Sequence, residues 1–204
     1  MDIITPQRLY HGTTDNLVNL FQAKLLDSKY WRPGRDFGEG FYTTISAAQA
    51  RNWARKAAAR SIMGHELACV LEIELISIPA KMEPLIFLSD SLPWAEFVMS
   101  HRRVMNKGES DPCHKHPDII IGPMADGDTG RIIEEAVQLN KDVHWFYDQI
   151  LRTTRGRKLD ALRLGNQVVF SSEKWEASLR FVGYNIFTGG RWIYYENTSS
   201  AESV

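Results

Sequence analysis

Asp36-Phe37-Gly38-Glu39-Gly40-Phe41-Tyr42-Thr43-Thr44 is the stretch on which the reading of this 204-residue chain turns. Two glycines bracket one acidic residue and lead into an aromatic, β-favouring run, which predicts an unusual backbone approach and then a strand with Tyr42 near its start. Gly-x-Gly alone is common in turns, and this spacing is not that of a dinucleotide fingerprint. Downstream, Ser46 reads as an N-cap with Gln49 placed to complete a capping box. The Ala-rich helix that follows puts Ala47, Ala50, Ala54 and Ala57 on one face beside Trp53, with Arg51, Arg55 and Arg60 elsewhere. Upstream, residues 8–13 read as a short strand in which Leu9 and His11 share a face and Gly12 lets a ligand approach the backbone.

Farther along, Val70, Glu72 and Glu74 alternate with Leu71, Ile73 and Leu75, the period of a strand with one wet face. A short strand is predicted at residues 85–88. Ser91 caps a helix starting near Pro93, with Trp94, Phe97, Val98 and Met105 as its buried stripe. His101 falls on that stripe and is read as a packed core histidine rather than a ligand. A compact strand at residues 118–121 precedes a helix from Thr129 to Gln138, and an apolar-rich stretch covers residues 143–151. The chain closes with a strand at residues 167–170, a short helical segment at 172–178, and two β-like runs joined by a Thr188-Gly189-Gly190 hairpin turn. Helices alternate with strands and then give way to strand-rich sequence, which favours an α+β fold over a doubly wound parallel sheet. The expected organisation is one domain over residues 1–187 and a C-terminal extension over 188–204 whose last residues, from Asn197, are disordered.

A net charge of −1 implies no bulk electrostatic grip on nucleic acid. The basic run Arg152-Thr153-Thr154-Arg155-Gly156-Arg157-Lys158 has two readings: a contact for phosphates, or a solvated helix end. Two cysteines, Cys69 and Cys113, argue against a disulfide scaffold and suit a reducing compartment, so a cytoplasmic location is expected. The N-terminus has no basic region ahead of an apolar stretch, and no run is long enough to cross a bilayer, so no membrane partner is expected. Cys113, His114 and His116 lie close together in a polar segment, but without a second cluster at finger-like spacing they read as solvated loop residues, and no metal is assigned.

Leu9-Tyr10-His11-Gly12-Thr13, the 36–44 stretch, and then Gln49-Ala50 and Trp53-Ala54 together resemble an uncharacterised bacterial family within the ADP-ribosyltransferase superfamily. The similarity continues through residues 94–102, through 118–126 with its Ile-Gly-Pro-Met-Ala-Asp core, and through 167–172, covering most of residues 8–182. It implies a split β-sheet core with flanking helices and a His-Tyr-Glu catalytic pattern, met here by His11, Tyr42 and Gln167. By that resemblance His11 bonds a ribose hydroxyl of NAD, the Gly12 backbone with Thr13 beside it holds the nicotinamide carboxamide, and Tyr42 stacks on the ring. Gln167 matches the family but departs from the superfamily's glutamate. A preorganised carboxylate opposing the developing sugar charge is worth roughly a hundredfold or more in rate.

Glu39, Asp126 and Glu173 are substitute carboxylates, with a turn, a helix cap and a helix N-terminus as their structural readings. Asp126 and Arg102 are the preferred secondary candidates, Arg102 either as a bidentate pyrophosphate ligand or as an ordinary ion pair. The expected activity is an NAD-dependent ADP-ribosyltransferase of toxin type, with NAD as co-substrate, a protein or nucleic-acid acceptor, and an antitoxin as partner. A non-catalytic NAD- or ADP-ribose-binding module and an NAD glycohydrolase are the alternatives.

Overall fold

The computed structural model describes residues 7–61, 64–76, 84–104, 110–125, 129–150 and 166–197. Met105, Asp126, the 152–158 basic run and residues 198–204 lie outside the described residues. In chain order the elements are β1 (Arg8–Thr14), α1 (Val18–Ala23), β2 (Phe41–Thr44), α2 (Ala47–Ala59), β3 (Ala68–Leu75), β4 (Leu85–Ile86), α3 (Leu92–Arg103), β5 (Ile119–Pro123), α4 (Thr129–Gln138), α5 (Val143–Ile150), β6 (Asn166–Phe170), β7 (Leu179–Thr188) and β8 (Arg191–Glu196). Short 3-10 turns occupy Asp15–Leu17, Ser28–Tyr30 and Glu173–Ser178. The protein is therefore α+β with mostly antiparallel strands. Its contacts gather into two compact units, one from the described parts of Met1–Asp27, Tyr42–Met82 and Glu173–Val204, the other from those of Ser28–Phe41 and Glu83–Ser172.

In the first unit β1 pairs with β2 on one side and β3 on the other, β3 with β7, and β7 with β8, all antiparallel. The one-wet-face expectation for β3 fails over its first half, where Ala68, Cys69, Val70 and Leu71 are all buried. The reason is α2, whose small Ala50 and Ala54 pack against Ala68 and Val70, leaving no room for solvent on that face. Past that cover the alternation returns: Glu72 accepts from Asn185 Nδ2 at 2.8 Å, and Glu74 pairs with Arg180. The start of α2 is capped as expected by Ser46, which accepts from the Gln49 amide at 3.3 Å. Gln49 does not close the box on Ser46; its Oε1 accepts from the Thr44 hydroxyl, which accepts from the Ser46 amide at 3.1 Å.

Residues 14–27, unassigned from sequence, form a 3-10 turn and α1. They are anchored by Glu176, which accepts from the amides of Leu25 at 2.9 Å and Leu26 at 2.6 Å. The hairpin at Gly189-Gly190 has both glycines at positive φ, the backbone of a two-residue hairpin turn. β8 runs the length of that hairpin within the expected extension. Asn197 is held as well: its amide donates to Val182 O at 2.9 Å and its side chain to Phe181 O at 3.0 Å. The ladder's geometry continues one residue past β8, which a polar composition does not reveal.

In the second unit β5 lies between β4, in parallel, and β6, antiparallel. α3, α4 and α5 pack on one another. Trp94, Val98, Ile120, Phe146, Ile150, Val169 and Phe170 are buried. Ser91 caps α3 by accepting from the Trp94 amide at 3.3 Å, and the Trp94 indole donates to Pro123 O at 3.0 Å. The predicted strand at 85–88 shortens to two residues, with the Phe87 amide still reaching Ile121 O at 2.8 Å. Among the described residues no helix is long and apolar enough to cross a membrane.

Candidate functional site

His11 and Tyr42 stand on neighbouring strands, where the His11 ring meets the Tyr42 backbone: Nδ1 lies 2.7 Å from Tyr42 O. A carbonyl can only accept, so Nδ1 carries the proton and Nε2 is the acceptor nitrogen of the neutral ring. Tyr10 opposes Thr44 across the ladder. Alternation then puts Tyr42 on the face shared by Tyr10 and Gly12, and His11 on the opposite face with Leu9 and Thr13. The His11 ring packs 5.2 Å from that of Phe21, and Thr13 is buried.

The expected reason for Gly12 was ligand approach; the structure adds a packing reason. A Cβ at Gly12 would lie 2.3 Å from Ala50 O, 2.8 Å from Ala54 N and 3.0 Å from Trp53 Cβ. Glycine is what allows α2 to rest its backbone on β1. Trp53 is the aromatic this brings beside Gly12, and with 38% of its surface exposed it is not a core residue. Sequence reading placed it in the helix but gave it no role.

Gln167 is on β6 in the second unit and is buried. Its Nε2 donates to Asp36 Oδ2 at 3.3 Å and to Pro123 O at 3.4 Å. Asp36 Oδ2 also accepts from the Ala125 amide at 3.2 Å. Its other oxygen accepts from Arg102 Nε at 2.8 Å and pairs with Nη2 at 2.6 Å, while Arg102 Nη1 donates to Gly34 O at 3.0 Å. Arg102 is thus an ion-pair partner in this structure, and Asp36 is the hub that ties it to Gln167. Asp36 stands in the opening stretch without any spacing that would announce this role. Of the substitute carboxylates, Glu173 opens a 3-10 turn and pairs with Lys24. Glu39 lines a cavity of about 290 Å³ together with Trp31, Gly38, His101, Asp111 and His116.

That cavity wall gathers residues far apart in sequence. One ligand atom each from His101, Asp111, Cys113 and His116 lie within 4.8 Å of one another. The solvated-loop reading holds for exposed His114 but not for Cys113 and His116, which are half-buried. His101 is fully buried, and its Nδ1 lies 2.7 Å from Phe97 O. Burial lowers its pKa below the usual histidine value, against the opposing pull of the Phe97 carbonyl, so the ring is neutral at pH 7. Burial raises the Cys113 thiol, with the Asp111 carboxylate adding to it. Cys69 is pushed up to about 12 by burial, with Asp15 contributing, and stays a thiol.

The arrangement is an α+β domain whose candidate site residues cluster at the β1–β2 pair in one unit and around Asp36 in the other. The chain belongs to the family described as protein of unknown function (DUF3990), whose model matches residues 7–181. No curated protein and no solved structure matches it.

Proposed function

We propose that the chain is an NAD-consuming ADP-ribosyltransferase that breaks the bond between nicotinamide and ribose and passes ADP-ribose to a macromolecular acceptor. The observation that carries this reading is the bond from the His11 ring to the Tyr42 carbonyl, which sets the histidine tautomer at the β1–β2 pair next to Gly12, with Trp53 of α2 close by. In the proposed reaction nicotinamide leaves with the bonding electron pair, and the sugar carbon becomes oxocarbenium-like before the acceptor's nucleophile attacks it. His11 Nε2 accepts from a ribose hydroxyl, the Gly12 backbone holds the carboxamide, and Tyr42, which alternation puts on the Gly12 face rather than the His11 face, supplies with Trp53 an aromatic surface that orients the ring. In this reading Arg102 holds Asp36 rather than pyrophosphate. A toxin acting in the cytoplasm on a protein or nucleic acid, and held in check by an antitoxin, is the setting we propose for it.

Incubating the purified protein with NAD and cell lysate tests the reading: nicotinamide release and an ADP-ribosylated product are expected, and both are lost in His11→Ala. Absence of both products from the wild-type chain across several lysates counts against catalysis. A second reading, an NAD- or ADP-ribose-binding module without turnover, is favoured by Gln167, whose amide is turned onto Asp36 and Pro123 O. Calorimetry separates the two, because the module binds NAD and loses it on Tyr42→Ala without releasing nicotinamide. NAD hydrolysis appears in the same assay as free ADP-ribose with no labelled acceptor.

A further inference from the structure

We propose that His101, Asp111, Cys113 and His116 form a binding site for a zinc ion. Two imidazoles, a thiolate and a carboxylate make a borderline-soft N, S and O donor set of the kind tetrahedral zinc prefers. Bonds of about 2.0–2.3 Å set tetrahedral edges of about 3.3–3.8 Å. His101 Nε2 already lies 3.6 Å from Asp111 Oδ1 and 3.7 Å from Cys113 Sγ. All four ligand atoms lie within 4.8 Å of one another, so side-chain adjustments of about 1 Å bring every pair to a tetrahedral edge. The two anionic ligands cancel the ion's charge, so the filled site is neutral where it is partly withdrawn from water.

Two independent features point to an ion rather than to a chance cluster. His101 presents Nε2 in a fixed tautomer, because Nδ1 carries the proton donated to Phe97 O, which is the outer-shell contact that orients a metal-bound histidine. His116 has both ring nitrogens buried and neither has a hydrogen-bond partner. Asp111 Oδ2 comes within 2.9 Å of its Nδ1 but off the direction a hydrogen bond needs. A buried polar group left this way in a native fold calls for an explanation, and a bound ion is one.

The backbone is shaped to bring these rings together. Gly38 has φ +77°, and a Cβ there would lie 2.9 Å from His101 Cδ2 and 3.0 Å from His116 Cε1. The two imidazoles meet edge to face at 5.2 Å. With all four ligands from the protein the site is closed, so the ion fastens residues 111–116 onto α3 beside the glycine stretch. It does not rest on the NAD reading, since the ion binds whether or not NAD does.

The test uses the full chain without a histidine tag, isolated from zinc-supplemented medium, with metal measured by mass spectrometry and the stripped protein titrated with cobalt(II). One zinc per chain is expected, and cobalt should give a thiolate charge-transfer band with the intense visible bands of a tetrahedral site. Cys113→Ser should remove the charge-transfer band and weaken zinc by at least about tenfold. His116→Gln should weaken it similarly with circular dichroism unchanged, while His114→Gln, outside the cluster, should bind as wild type does. Metal well below one per chain after supplementation, a weak six-coordinate cobalt spectrum, or equal zinc affinity in wild type and Cys113→Ser would overturn the proposal.

Discussion

Replacing Gln167 with glutamate should destabilise this protein at neutral pH. Both partners of the Gln167 amide, the Asp36 carboxylate and the Pro123 carbonyl, are acceptors, so Nε2 faces them as a donor. A glutamate turns that donor into a second carboxylate beside the first. Two like charges about 4 Å apart at an effective permittivity of about 20 repel by about 4 kcal/mol. Arg102 on the far oxygen of Asp36 offsets roughly half of this, and the lost amide donation adds about 1 kcal/mol. The expected net cost is about 3 kcal/mol, a shift of about 1.5 M in a urea midpoint for a slope of about 2 kcal/mol/M.

The pH dependence identifies the cause. The neighbouring charge and burial raise the introduced carboxyl in the folded state above its unfolded value of about 4.3. The penalty is therefore complete above the raised folded pKa, shrinks as pH falls through it, and is gone near the unfolded value. Urea unfolding followed by tryptophan fluorescence at pH 7 and pH 5 should show Gln167→Glu converging on wild type at the lower pH. Gln167→Met, which removes the donor without adding charge, should cost about 1 kcal/mol at both. A Gln167→Glu midpoint equal to wild type at pH 7, or a deficit that does not shrink on acidification, would refute the account of Asp36 as a hub already saturated with donors.

Gly12→Ala forces α2 off β1, because its Cβ would sit 2.3 Å from a helix carbonyl that has no side chain to swing aside. Thermal or urea unfolding should register a loss of roughly 1–3 kcal/mol or more. Glu176→Ala strips the acceptor from the amides of buried Leu25 and Leu26 and should cost about 2 kcal/mol, whereas Lys24→Ala, which removes a surface ion pair with Glu173, should leave the midpoint essentially unchanged. With its pKa at about 12 and no exposure, Cys69 should react with iodoacetamide at pH 8 only as fast as the chain opens; mass mapping showing rapid native-state modification there would contradict its burial.

Local features of this fold were legible where the signal is local. The Ser46 and Ser91 caps, the Ala50 and Ala54 face of α2, and the Gly189-Gly190 hairpin follow from short-range spacing, and each stands where the sequence predicts. Readings failed where the partner comes from a neighbouring element rather than from the element itself. β3 has no wet face over its first half because α2 covers Val70, and Gln49 accepts from Thr44 because a strand hydroxyl lies within reach.

By itself the sequence determined the succession of strands and helices and the placement of His11 on β1 and Tyr42 on β2, because periodicity and capping act over a few neighbouring residues. Only the tertiary structure decided what Asp36 binds, that Gln167 turns its amide onto a carboxylate, and that His101 meets Asp111, Cys113 and His116. The Asp36 contacts join residues 66 and 131 positions apart, and Cys113 reaches His101 from 12 positions on, outside the helix that holds it; no helix or strand periodicity encodes either return. Gly38 reads as a turn residue in sequence; in the folded chain its missing side chain is the space that lets the rings of His101 and His116 come together.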